Sequence, residues 1–408
     1  MLEVGSEELH KVTERSGNKV FSKIFSASVS PAFLLVIVLG FVATQFSQAQ
    51  TFSVLYNFGG AADGGDPYAG VIRDSNGNFY GTVGYGGTAY AGGVYKVDSL
   101  GNETMLYSFT GGADGNFPVS TLARDSAGNL YGTTSQGGSA GGGVVFKVDP
   151  SGNETVLHNF TGGLDGVNPS GGLFLDEVGN LYGTTSQGGS FENYGVLFRL
   201  SPAGTETILH VFTGAANDGK YPSYTNLVTD GHGTFYGVTQ AGGSTDHGVV
   251  YKITRTGKFT VLYSFAGGTA DGCNVLGTPY LDKYGNIYGT TSSCGASGLG
   301  TVWKLTSTGI ETVLHSFAGG TADGEYPLAG VVEDVNGNLY GSTETGGSAD
   351  LGTVYRVSQT GKFTLLHSFT GPDGEYPYSG FVLRNGALYG TAQNGGSIGY
   401  GSVWKFGK

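Results

Sequence analysis

Seven aspartates occupy matched loops along this chain, Gly-Gly-x-Asp-Gly-x-x-Pro in their fullest form: Asp63, Asp114, Asp165, Asp218, Asp271, Asp323 and Asp373. Carboxylates repeated around a channel mouth could form a negative collar for a hard cation such as calcium, with Asp114, Asp323 and Asp373 as candidate metal ligands. Each could instead bond the amides of its own glycine turn, and that structural reading is the favoured one. Phe117, Tyr221, Tyr326 and Tyr376 precede the loop proline. In the first unit Asp66 precedes it and Tyr68 follows, while Asn168 and Val275 take the place in the remaining units. A flat ring beside carboxylates and amides suits a sugar face and its hydroxyls, which makes Tyr68, Phe117, Tyr221, Tyr326 and Tyr376 the candidate ligand-binding residues. Stacking within the loops is the competing reading.

Other reactive side chains sort into scaffold. His158, His210, His315 and His367 share one repeat position with Tyr56, Tyr107 and Tyr263, a packing slot rather than a ligand set. No Ser-His-Asp arrangement, phosphate loop or zinc spacing is present, so no catalytic residue is expected. Cys273 and Cys294 are the only cysteines, in loops expected to lie side by side on one face. In an oxidising compartment they should form a disulfide.

The elements that position these residues come from a repeat. The phrase Asn129-Leu130-Tyr131-Gly132-Thr133-Thr134 recurs around Tyr80, Tyr131, Tyr182, Tyr236, Tyr288, Tyr340 and Tyr389, at spacings of 51, 51, 54, 52, 52 and 49 residues. Each unit holds four short runs rich in Val, Leu, Thr and aromatics, bounded by Gly, Asn and Asp, and no helical periodicity. In the fourth run of one unit, Val156, His158 and Phe160 alternate with Leu157 and Asn159. Asp125-x-x-Gly128-Asn129 is a hairpin turn between the first two runs. Six first strands end in Asp and every third strand ends in Lys or Arg, which should form a girdle of ion pairs or turn bonds on one face. The last unit stops after its third strand, and residues 51–58 form an orphan fourth strand. A closed ring needs that phase offset. The expected fold is an all-β, seven-bladed β-propeller of four-stranded antiparallel blades over residues 50–408, closed where strand 51–58 joins strand 400–406.

Composition narrows the setting. The chain has 408 residues, 77 of them glycine without collagen periodicity, and a net charge of -12 that disfavours nucleic acid and anionic membranes as partners. Before the repeats, Lys19 and Lys23 lead to an apolar run, Ala32 to Ala43, and then to Ser47-Gln48-Ala49. This pattern reads as a signal peptide cleaved near Ala49, within a 1–49 segment assigned no fold, so that no membrane span is left after cleavage; an uncleaved membrane anchor is the rival reading.

The phrase Pro-x-x-Gly-Leu-x-x-Asp-x-x-Gly-Asn-Leu-Tyr-Gly-Thr-Thr, continued by Gly-Gly-Ser, Gly-Val-Val-Phe-Lys-Val and Gly-x-Glu-Thr-Val-Leu-His-x-Phe, is clearest at 118–160 and 169–212. It resembles the GloVer tandem repeat of bacterial choice-of-anchor proteins, over residues 51–408, and more distantly the NHL-type propeller blade. The resemblance implies an exported or surface-displayed bacterial protein and brings no assigned chemistry. Many such proteins carry a C-terminal anchoring segment, whereas this chain ends at Lys408, so free secretion or retention by binding is expected. The expected function is a noncatalytic, monomeric binding or scaffold module for a glycan or another envelope component, needing no cofactor. The alternatives are a propeller enzyme, a lactonase or polysaccharide lyase working at the channel mouth, and a purely structural surface protein.

Overall fold

The computed structural model describes residues 50–190 and 192–407. The expected signal peptide at 1–49 lies outside the described residues. Seven four-stranded antiparallel sheets follow one another around a ring. Blade two shows the pattern: Ala123–Arg124, Leu130–Thr134, Val144–Val148 and Glu154–Asn159, counted outward from the axis. The seventh blade is assembled from both chain ends, with Thr51–Asn57 against Ser402–Gly407 in antiparallel register. Closure occurs where the phase offset of the repeats places it.

Strict alternation in the outer strand is corrected by a bulge. In blade two Phe146 opposes Val156 and Val145 opposes His158, so Leu157 has no partner across the ladder. The same register shift recurs in the other six outer pairings. A buried phenylalanine follows each outer strand and meets the third-strand aromatic of the next blade edge-on. Phe58–Tyr95, Phe109–Phe146, Phe160–Phe198 and Phe265–Trp303 have ring centroids 5.0, 5.0, 5.2 and 5.4 Å apart. The core therefore lies in the seams between blades, and each blade depends on its neighbours for burial.

The Tyr-Gly-Thr motif serves this arrangement residue by residue. Tyr182 packs its ring on Phe235 of the next blade at 4.5 Å, and Tyr389 packs likewise on Phe79 at 4.8 Å. Gly132 leaves room for the third-strand ring, since a Cβ there would stand 2.6 Å from Phe146 Cζ. The following hydroxyl donates to a backbone carbonyl of the next blade: Thr82 to Ser120, Thr133 to Gly171, Thr184 to Pro222, Thr290 to Ala329, Ser342 to Pro377 and Thr391 to Ala69. Blade four has Val238 at this place and lacks the bond. The hairpin aspartates make turn bonds: Asp125 accepts from the Asn129 amide and side chain at 2.8 and 2.7 Å.

Candidate functional site

The loop entering each blade is fixed by one strained residue. Asp66, Phe117, Asn168, Tyr221, Asn274, Tyr326 and Tyr376 all have positive φ, between 53° and 60°. Such a conformation costs a residue with a Cβ on the order of 1 kcal/mol and persists only where neighbours hold it. Here hydrogen bonds do so on both sides: Phe117 N–H donates to Ala91 of the preceding blade, and its carbonyl accepts from Ser135 of its own blade. In blade five Asn274 holds the position, which corrects the sequence assignment of Val275. Val275 instead replaces the proline, lying against Gly248 as Pro118 lies against Gly92.

This latch aims the next residues down the central channel. Alternate residues of the inner segment face opposite ways. Val71, Leu122, Leu173, Leu227, Val331 and Phe381 enter the core between blades. The intervening positions line a cavity of about 570 Å³ in three tiers. The mouth tier is Tyr68, Val119, Ser170, Tyr224, Leu276, Leu328 and Tyr378. The waist is Gly70, Thr121, Gly172, Asn226, Thr278, Gly330 and Gly380, and the floor includes Ile72, Val228, Tyr280, Val332 and Val382.

The seven units disagree most at the mouth. Tyr68 meets Phe117 edge-on at 5.3 Å and Tyr378 at 6.2 Å. Tyr378 donates its hydroxyl to Glu344 at 2.6 Å, and the Gln393 side chain lies near Tyr68. Burial pushes the Tyr378 hydroxyl well above the usual phenol range, with the bond to Glu344 adding to it. Burial and then the Asp66 carboxylate raise Tyr68 too, and burial raises Asp66 itself. Tyr224, 56% exposed, comes from the unit whose entry loop is longest, and its phenol is near enough to raise Tyr68 further. The arrangement offers flat apolar rings with a carboxylate and an amide at their edges.

Of the sequence candidates, Tyr68 and Phe117 meet at this mouth. Tyr221 and Tyr326 belong to other blades, and Tyr376, although it enters the same blade as Tyr378, does not stack with that ring cluster. Tyr221 stacks edge-on with Tyr194 at 5.4 Å beside a shallow cleft of about 420 Å³, which Lys220, Asp246, His247 and Asn274 also line. Tyr326 stands 37% exposed at the rim. Sequence reasoning missed Tyr224, Tyr378, Glu344 and Gln393. Tyr68, Tyr224 and Tyr378 share a repeat position that holds Val, Ser or Leu in the other four units, which was the available signal.

The loop aspartates lie beside the outer strands, a correction to their expected place at the channel mouth. Each reaches back to the His/Tyr slot of the outer strand preceding it. Asp114 accepts from the Tyr107 hydroxyl and the Thr110 amide at 3.0 and 2.7 Å. Asp323 pairs with His315 at 3.2 Å and Asp373 with His367 at 2.8 Å, each also accepting a backbone amide. Asp114, Asp323 and Asp373 thus stand in separate blades with their oxygens engaged. Among the described residues no group of three or more His, Cys, Asp or Glu side chains is placed to hold a metal ion.

Cys273 and Cys294 form a disulfide with Cα atoms 5.4 Å apart. Both lie in strands rather than loops: blade five extends its first two strands to Gly272–Leu281 and Ile287–Cys294, so that Cys273 opposes Ser293.

Sheets, ring and channel define a seven-bladed β-propeller. The chain belongs to the Gloeobacter/Verrucomicrobia repeat family, whose profile matches residues 40–230 and 216–404. No curated protein matches the sequence. Among solved structures it is similar to an extracellular domain assigned to a one component system of B. thetaiotaomicron, with 14% identity and a TM-score of 0.54 over 87% of this chain. The match spans 41% of that protein's chain, and it speaks for the fold alone. A protein assigned as a gluconolactonase aligns at 12% identity and a TM-score of 0.39, over 65% of this chain and 80% of the other, too distant to carry an argument.

Proposed function

We propose that this protein is a noncatalytic exported or cell-surface binding module that takes a glycan or another envelope component at the channel mouth. The observation that carries the reading is the cluster of Tyr68, Phe117 and Tyr378 with Glu344, at a mouth where four other blades put Val119, Ser170, Leu276 and Leu328 in the place of the two tyrosines. Aromatic faces stack on the apolar face of a sugar ring, and edge-placed carboxylate and amide groups bond its hydroxyls. Export is supported by the disulfide, a bond that persists in oxidising compartments.

A glycan array followed by calorimetric titration of its hits tests this. Tyr68→Ala and Tyr378→Ala should each weaken binding at least tenfold while leaving the melting temperature near that of the parent. An array without hits, or variants that bind as the parent does, would remove the reading.

A further inference from the structure

Below the mouth the cavity changes character. Among its lining residues there is no Asp, Glu, Lys or Arg. At the waist Gly380 faces open space, while Gly70, Gly172 and Gly330 let neighbouring inner strands approach closely and add no side chain of their own; Thr121, Asn226 and Thr278 complete the ring. The floor residues Ile72, Val228, Val332 and Val382 are aliphatic and only half-buried, with the channel on their free side. From mouth to floor the inner strands advance four residues, a depth of about 13 Å at the rise of an extended chain. The volume of about 570 Å³ falls within the range of sites that enclose a small molecule. Below the polar side chains of Thr121, Asn226 and Thr278 at the waist, a glycan would lose water from its hydroxyls against Ile72, Val228, Val332 and Val382, whereas a hydrocarbon would gain by the same transfer.

We propose that the ligand is an amphiphile, a glycan head held at Tyr68, Tyr378 and Glu344 and a hydrocarbon tail running through the glycine waist to the aliphatic floor. The head rests on the reading of the mouth given above; the tail rests on the waist and floor alone. The chemical class is an alkyl or acyl glycoside, the kind of molecule an envelope glycolipid presents.

Calorimetric titration of the purified protein with methyl, hexyl and octyl β-glucoside, below the concentration at which they form micelles, and with 1-octanol separates the two parts. Affinity should rise about fourfold per methylene as each enters the channel, so octyl glucoside should bind at least a hundredfold more tightly than methyl glucoside. Gly380→Trp should abolish the chain-length dependence. A Cβ at Gly380 meets no atom within 4 Å, so this variant plugs the waist without forcing the backbone, and its thermal unfolding should match the parent. Tyr68→Ala should weaken octyl glucoside and leave octanol unchanged. If methyl and octyl glucoside bind equally, the tail is overturned and the mouth reading survives. If octanol binds as tightly as octyl glucoside, the tail has its place and the sugar-binding mouth is overturned. Failure of both octyl compounds to bind, or binding that ignores Gly380→Trp, overturns the channel as the tail's site.

Discussion

The hydroxyl of Tyr131 donates to the carboxylate of Asp125 at 3.0 Å, joining the second strand of a blade to the hairpin that precedes it. The bond recurs from Tyr80 to Asp74, Tyr182 to Asp176, Tyr288 to Asp282 and Tyr340 to Asp334. Hairpin amides and this hydroxyl hold the Asp125 carboxyl below the usual range against the opposing effect of its partial burial. Tyr131→Phe keeps the ring in the seam and removes only this bond. The expected loss is about 1 kcal/mol, read from the urea midpoint at unchanged m-value. Tyr182→Phe should lose more, because Tyr182 is 1% exposed and Asp176 is buried with it.

Removing the disulfide should destabilise blade five selectively. The bond links residues 21 apart and closes the hairpin of that blade's first two strands. Cys273→Ser with Cys294→Ser should cost about 2–4 kcal/mol. A lower melting temperature that dithiothreitol reproduces in the parent, and does not lower further in the variant, is the outcome to look for.

Stability should fall as pH rises through neutrality. Glu103, Glu154, Glu206 and Glu311 share one position at the start of the outer strand, and each has a buried oxygen without a hydrogen-bond partner. Burial first, and then the nearby charge of Asp63, Asp114, Asp165 and Asp271 respectively, pushes these four carboxyls up to about 7. Their ordinary value is 4.5, so the folded state favours the proton. The stability they contribute is complete below about 4.5 and is lost as pH climbs through about 7. His158, lowered by burial, acts in the opposite sense as pH falls, one group against four. Urea midpoints should therefore drop between pH 5 and pH 8, and replacing the four glutamates by glutamine should flatten that drop.

Ring closure should depend on the first strand of the described chain. Phe52 stacks on His367 of blade six at 3.8 Å and lies 5.5 Å from Trp404 of its own blade. Phe52→Ala should cost about 3 kcal/mol or more, whereas deletion of residues 51–58 should expose Trp404 and abolish cooperative unfolding. Tryptophan fluorescence and dye binding would report both.

The ring was legible because one chain contains seven versions of the same physical solution. Tyr-Gly-Thr recurs wherever a ring must fill a seam, a neighbouring aromatic needs space and a hydroxyl must reach the next blade. The site was less legible, because it depends on which tier of the channel a residue enters. Tyr378 and Tyr376 are neighbours in sequence and both aromatic, yet only the first lines the channel. Blade five defeated alignment by motif, since Val275 stands where the other units have proline and the latch conformation falls on Asn274. The aspartate loops were misplaced because their carboxylates turn toward the strand already passed, a direction that spacing alone does not encode.

The two ends of the propeller meet inside a sheet, where Thr51–Asn57 lies along Ser402–Gly407. Had the ends met at a seam, the ring could open by peeling two side-chain surfaces apart, one contact at a time. As built, opening must also break a ladder of hydrogen bonds, and sliding one strand along the other would have to break them all together. Thr51 stands opposite Gly407, however, so a pull that separates those two residues opens the ladder pair by pair from that end. A short loop from Gly407 to Thr51, with the chain cut instead at a different blade entry, should keep the same contacts and remove that starting point.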